Sequence, residues 1–318
     1  MSHKTDTAVL LLAHGTPDSV EEIPQYLANI TGGRPMPPVV IEEVSHRFTL
    51  VGGSPLTALT LEQGRLLREE LCVPVYVGMR NWRPYIAEVV AQMKADGIRR
   101  AVALCLAPQN SRTSVGLYRK AVYTAGDGLD IHFIEGWADH PLLADAFAER
   151  LRAVRDPFLA ENGSPVPVLF TAHSVPCRTV LSQPASAEDA APQQSPDPYA
   201  IEAKRTAQLV AERGGVAPEE WFFAFQSQGM SGGPWIGPTV EDTLTALAKQ
   251  GVTNLVVDPI GFLCDHVEIL YDIDIGFRAF AANLGIDLRR PESLNNSHLL
   301  TRALADLSGK GLAALDAR

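Results

Sequence analysis

The chain has 318 residues, enough for two domains or one large one with a sizeable core, and its 46% hydrophobic and 20% charged content is that of an ordinary globular protein. Its 27 basic and 37 acidic residues leave a net charge of −10, so there is no basic excess to displace the counterions of a nucleic acid. No apolar stretch approaches the roughly 20 residues that cross a bilayer, and Cys72, Cys105, Cys177 and Cys264 are far apart with no C-x-x-C pair, so neither a disulfide frame, a zinc knuckle nor an iron–sulfur cluster is indicated and a cytoplasmic location is expected.

From the N-terminus, short β-rich runs alternate with longer amphipathic stretches. Residues 8–13, 73–77, 101–107 and 131–134 read as strands, with helices such as 84–95 and 114–125 between them. A second series follows, with strands at 166–171, 221–226, 255–257 and 286–288 and helices near 199–213, 240–250 and 264–283. Strands alternating with helices of this length predict parallel sheets covered on both faces. The expected fold is therefore α/β, with two Rossmann-like doubly wound domains over 1–155 and 156–318 and the turn-rich RDPFLAENGSP near their junction. A last helix, about 297–314, is expected to pack back on the first domain. The stretch 181–198, rich in Pro, Ala, Ser and Gln, reads as a surface loop.

Residues with chemical potential cluster at strand ends. His14 follows the first strand in LLLAHGTP, and His173 follows the strand of the second series in LFTAHSVP. Open α/β sheets bind ligands at the carboxyl ends of their strands, so the two histidines are expected on facing walls of one cleft. Either one alone reads equally well as a turn-capping or core histidine. The run DPIGFLCDHVEILYDID passes through Gly261 into a helix in which Asp265, Glu268 and Asp272 are spaced i, i+3, i+7. At about 1.5 Å per residue that row spans roughly 10 Å. It is either a solvated acidic face or a path for protons or a hard cation, and its apolar neighbours Phe262, Val267, Ile269 and Leu270 favour the path. Histidines and carboxylates together suit proton abstraction and cation handling.

FQSQGMSGGPWIGP, residues 225–238, is a glycine-rich loop in which Trp235 either plugs the core or lies along a flat aromatic ligand. No G-x-G-x-x-G follows the first strand, and no G-x-x-x-x-G-K-S/T is present.

Seven blocks, in order LLAHGTP, VGGSPL, YVGMRNWRPYI, LCLAPQNSRTSVGLY, TAHSVP, QSQGMSGGPWIGP and PIGFLCDHVEILYD, resemble the ferrochelatase family, which inserts ferrous iron into a porphyrin. The resemblance runs from about Ala8 to beyond Pro291 and implies the chelatase fold, with two Rossmann-like halves. It implies catalytic roles for His173 and Glu268, and metal contacts from His173, Glu268, Asp272 and His14. The implied porphyrin-binding residues are His14, Arg47, Ser54, Tyr118 and Trp235.

The chain departs from the family's pattern at four places. The acidic row stops at Gly276, so its outer end is shortened or served by Asp274; the loop before Ser54 is one residue shorter than in many members; His14 stands where some members have tyrosine; and Thr31 stands where some have arginine, so a propionate contact is lost or moved to Arg34.

By resemblance, the porphyrin is bent so that its pyrrole nitrogens leave the plane and Fe²⁺ enters from one face. His173 acts as base or metal ligand, Glu268 as its partner and Asp272 as relay. AHGTP, WIGP and DHVEILYD resemble the coproporphyrin III type more than the protoporphyrin IX type. Alternatives are a protoporphyrin enzyme, a cobaltochelatase of cobalamin or sirohaem pathways, and a non-catalytic porphyrin carrier. Fe²⁺ is expected as a substrate with no prosthetic group. The implied partners are the porphyrin, the iron and transient contacts with other haem-pathway enzymes, and the expected state is a monomer.

Overall fold

Seven apolar or small residues in succession make β1 (Thr7–Ala13) a strand buried on both faces, which only a covered sheet can accommodate. In this computed structural model, residues 5–180, 197–228 and 233–318 are described. The rest of the Pro/Ala/Ser/Gln-rich stretch before Asp197, and the middle of the glycine-rich loop, lie outside the described residues.

After β1 come α1 (Ile23–Ile30), α2 (Pro38–Val51), α3 (Leu56–Leu71), β2 (Val75–Met79), α4 (Ile86–Ala95), β3 (Arg100–Cys105), α5 (Val115–Ala125) and β4 (Asp130–Ile134). The second series is α6 (Pro141–Asn162), β5 (Val168–His173), α7 (Cys177–Val180), α8 (Tyr199–Gly214), β6 (Trp221–Gln226), α9 (Val240–Lys249), β7 (Asn254–Asp258), a π-helix over Ile269–Phe277, α10 (Arg278–Asn283), β8 (Asp287–Arg289) and α11 (His298–Asp316). They build two parallel four-stranded sheets, ordered β2-β1-β3-β4 and β6-β5-β7-β8. In both, the first strand is flanked by the next two in sequence, so connections leave β1 and β5 in opposite directions and open a crevice at their carboxyl ends.

Alternation along the strands sorts the core into three layers. Val9 and Leu11 of β1, Val102 and Leu104 of β3, and Val168 and Phe170 of β5 share one apolar cluster with Phe147, Leu151, Val210 and Leu304 from α6, α8 and α11. Leu10 and Leu12 turn the other way, onto Ile86, Val90 and Val122 of α4 and α5. Leu169 and Val257 face Leu244 and the π-helix residues Ile269 and Ile273. Truncating a side chain such as Leu11 in the shared layer costs about 2–5 kcal/mol.

Three local readings change. The strand expected at 166–171 runs over Val168–His173, so His173 is the last residue of β5 rather than part of the turn beyond it. The turn-rich junction is helical as far as Asn162, because α6 continues through it and ends at Gly163 in the left-handed region. The helix expected over 264–283 starts only at Val267 and is wound as a π-helix before α10, which changes which carboxylates share a face. Helix α11 packs on α3, α6, β3 and β4.

Candidate active site

The site forms where the carboxyl ends of β1 and β5 meet the start of the π-helix. After β1 the chain must turn sharply beneath Met79 and Trp82. A Cβ at position 15 would lie 2.8 Å from the Met79 Cβ, and the backbone there has φ +78°, so only glycine makes the turn freely. His14 is thereby held at the strand end. Its Nε2 is 3.0 Å from the Tyr26 hydroxyl, and the Asn81 amide nitrogen lies 3.1 Å from its ring nitrogens. Burial, and then the positive charge of Arg80, push its imidazole down to about 4, so it is neutral at physiological pH.

On the other wall, His173 ends β5. Tyr199 donates its hydroxyl to the His173 carbonyl (2.9 Å), the ring's Nδ1 contacts the Ser174 carbonyl, and Phe262 meets the ring edge-on. Phe262 comes this close because the chain leaving β7 crosses the end of β5 at Gly261. A Cβ there would sit 2.8 Å from both Cα and Cβ of Ala172.

That crossing delivers Glu268. Its Oε2 stands 3.8 Å from Nε2 of His173 and 3.8 Å from Nε2 of His266, whose Nδ1 lies 3.0 Å from the Cys264 carbonyl. Burial opposes ionisation of Glu268, yet His173 and His266, with His14 behind them, hold its carboxyl well below the usual range, at about 2. Electrostatically, one carboxylate serves three imidazoles.

One turn further on, Asp272 accepts a hydrogen bond from Ser227 and lies 3.4 Å from Nη1 of Arg47. Burial raises the affinity of Asp272 for a proton, against the opposing pull of Ser227 and Arg47. Arg47, on α2, also donates to Glu43 (2.8 Å) and lies over the Tyr271 ring.

The i, i+3, i+7 row is not one face. Asp265 precedes the helix and is taken by Arg290 (2.9 Å), Ser293 (2.8 Å) and Asn295 (2.9 Å). Asp274 makes two 2.8 Å bonds to the same Arg290, so it does not extend the row beyond Asp272. At Gly276 an added Cβ would meet only the Tyr271 carbonyl, at 3.7 Å.

The remaining expected residues are dispersed around this centre. Ser54 accepts from Thr16 (2.9 Å) beside the His14 turn. Tyr118 is buried in α5 with Arg80 over its ring. Trp235 is only half-buried and forms a β-bridge with Pro176, so it is not a core plug. Arg34 donates to the Thr31 carbonyl (3.1 Å). Among the described residues, no three His, Cys, Asp or Glu side chains stand close enough to cage an ion. No described helix is long and apolar enough to cross a membrane.

Sequence patterns miss His266, Tyr26, Asn81, Arg80 and Ser227. His266 is two residues from Glu268, hence on the opposite face of any α-helix that contains both. Because the helix begins after it, the chain can turn His266 back to the same carboxylate. Tyr26, Asn81 and Arg80 lie within or just after the blocks that carry the family resemblance, but only the fold brings them to His14.

The family model Ferrochelatase matches residues 6–312. A protein of Acidobacterium capsulatum named ferrochelatase is 69% identical over 313 residues, covering 98% of this chain and 96% of that protein. The coproporphyrin III ferrochelatase of Geobacillus thermodenitrificans is 32% identical over 325 residues, covering 98% of each. Among solved structures, the sirohydrochlorin chelatase SirB from Bacillus subtilis with cobalt matches at 11% identity and a TM-score of 0.56, over 96% of this chain and 94% of that one, a likeness of fold alone.

Proposed function

The chain belongs to the ferrochelatase family, and on that premise we propose that it inserts Fe²⁺ into coproporphyrin III, with His173 as the proton-accepting residue and Glu268 as its charged partner. As a ferrochelatase it is a lyase whose substrates are ferrous iron and a porphyrin. Each turnover places one Fe²⁺ on four ring nitrogens and releases the two pyrrole N–H protons.

The observation that carries the catalytic assignment is the shared carboxylate, with Glu268 Oε2 3.8 Å from both His173 and His266. A carboxyl held at about 2 is a poor proton acceptor near neutrality. The first pyrrole proton therefore goes to an imidazole, and ionised Glu268 stabilises the imidazolium that forms. His173 ends β5 at the crevice with 35% of its side chain exposed, against 12% for His266, so His173 is the group in reach of a ring in the cleft. Asp272, whose proton affinity burial raises, then takes the proton outward past Ser227. Neutral His14 lines the opposite wall, and its single lone pair would reach iron once the Asn81 amide and Tyr26 hydroxyl that engage its ring nitrogens give way.

Two features support coproporphyrin over protoporphyrin. The chain is 32% identical to a relative whose name specifies coproporphyrin III, while the name of its 69% identical relative specifies no porphyrin. Arg34, Arg47, Arg80 and Arg112 also all lie on connections leaving the carboxyl ends of β1, β2 and β3; Arg47 and Arg112 already face Asp272 and Asp197, which leaves Arg34 and Arg80 as the cations to meet a tetracarboxylate. Arg47, Ser54, Tyr118 and Trp235 are assigned to porphyrin binding. The test is anaerobic metallation of both porphyrins with Fe²⁺. A kcat/KM at least tenfold higher for coproporphyrin III is expected, and a preference for protoporphyrin IX would overturn the substrate assignment.

A further inference from the structure

Helix α8 touches both walls of the cleft within its first two turns. Towards the second sheet, the Tyr199 hydroxyl donates to the carbonyl of His173 at 2.9 Å, and the ring packs beside Phe225. Towards the first sheet, the loop between β3 and α5 runs antiparallel to the helix. Gln109 donates to Thr206 (3.1 Å), the Asn110 backbone N–H to Glu202 Oε2 (2.6 Å), and the Arg112 backbone N–H to Asp197 Oδ2 (2.8 Å). The other oxygen of Asp197 accepts from the Tyr199 N–H (3.0 Å), so the same carboxylate also fixes the start of α8. Three residues into α5 the loop delivers Tyr118.

The chemistry of these contacts is unusual for a loop anchor. Asp197 is buried to 3% side-chain exposure, with Arg112 Nε no closer than 3.6 Å. Among the described residues no cation pairs with Glu202, which accepts a peptide N–H instead. Carboxylates that accept backbone N–H bonds, as buried Asp197 and half-buried Glu202 do here, fix the direction of the peptide plane as well as the position of the chain. Replacing them leaves those N–H groups without partners. From Tyr199 to Thr206 the helix advances about 10 Å, and the loop is pinned along that rigid length, with its Arg112 end, which leads to Tyr118, held at Asp197 beside the Tyr199 that grips the His173 carbonyl.

We propose that Asp197, Tyr199 and Glu202 are positioning residues, a strap that sets the separation of His173 from the wall built by the 109–114 loop and Tyr118. The inference rests on the assignment of His173 as the base. A porphyrin seated against the first wall meets His173 at the correct reach only while the strap holds. Slackening it leaves the porphyrin bound and displaces the base.

The experiment is steady-state Fe²⁺ insertion into coproporphyrin III by the full chain and its Glu202→Ala, Glu202→Gln and Tyr199→Phe variants, with thermal melts and the Soret spectrum of bound porphyrin. Glu202→Ala and Tyr199→Phe are expected to lower kcat by about 10- to 100-fold, the scale of a 1 Å misplacement. KM for porphyrin should stay within about threefold, and the Soret band of the bound ring should shift. Glu202→Gln keeps an oxygen for the Asn110 N–H and should recover kcat to within about threefold of the parent. If Glu202→Ala does not fold, Tyr199→Phe and Glu202→Gln carry the test. Parental kcat in Tyr199→Phe, or a Glu202→Gln variant as slow as Glu202→Ala, overturns the strap. Failure of the underlying reading looks different, because it would appear as a His173→Ala variant that metallates porphyrin at the parental rate.

Discussion

Nε2 of His173 and Nε2 of His266 face one oxygen of Glu268 at the same distance, 3.8 Å, the first from the end of β5 and the second from two residues before Glu268 in the chain. Two imidazoles that share one carboxylate are energetically coupled, because removing that one charge acts on both contacts at once. Glu268→Gln keeps the shape and removes that charge. It should lower kcat for iron insertion by roughly 10²- to 10⁴-fold, the usual scale for losing acid–base support. His266→Ala should cost about tenfold alone and almost nothing in the Glu268→Gln background. A double-mutant cycle on kcat measures that difference, and additive losses would separate His266 from the carboxylate.

His14 should not titrate in the physiological range. Burial and Arg80 hold its imidazole at about 4, so its ring proton and carbon resonances should stay constant from pH 8 down to about pH 5. Arg80→Ala removes the second of these causes and leaves the first. Its midpoint should therefore rise but remain below that of a free histidine. NMR of ring-labelled protein reads both directly, and a His14 midpoint near 6.5 in the parent would contradict the neutral-ligand role.

The ends of β1 and β5 are legible in the sequence because each is an apolar run cut off by a polar turn, AHGTP and AHSVP, and side-chain type alone reports that switch. The carboxylate row is not legible, for reasons located elsewhere in the chain. The N–H of Asp265 donates to the Asn295 side chain (2.9 Å), and its carboxylate is bound by Arg290, so contacts 25–30 residues away hold back the start of the helix to Val267. The π winding of Ile269–Phe277 then breaks the 3.6-residue period on which the spacing argument depends. The family resemblance places Arg47 on the porphyrin wall. Its position beside Asp272 depends on how α2 docks on the π-helix, which no local pattern records.

That position of Arg47 gives a split prediction. Its guanidinium occupies Asp272 at 3.4 Å, with 38% of the Arg47 side chain and 13% of the Asp272 side chain exposed. A cation approaching Asp272 therefore competes with a partly solvated ion pair worth about 0.5–1 kcal/mol. Arg47→Ala should lower the apparent KM for metal about two- to fivefold, and should raise KM for the porphyrin through the lost positive charge. Initial rates with each substrate varied in turn separate the two effects. Parallel movement of both constants would show that Arg47 does not guard the carboxylate.

Asp258 offers a test of stability that is independent of turnover. It ends β7 in full burial, one of its oxygens has no hydrogen-bond partner, and burial pushes its carboxyl up to about 8 despite Arg290 nearby. The unfolded chain gives up this proton near pH 4, whereas the folded chain keeps it until about pH 8. Between those values the folded state binds more protons, so this group lowers stability as pH rises. Asp258→Asn is a neutral mimic of the protonated acid and removes that dependence. Its melting temperature relative to the parent should climb steadily from pH 5 to pH 8, following a linkage slope of about 1.4 kcal/mol per pH unit. Melts of both proteins across that range decide the matter: a gap that stays constant or narrows with pH would mean that Asp258 is already ionised in the folded chain.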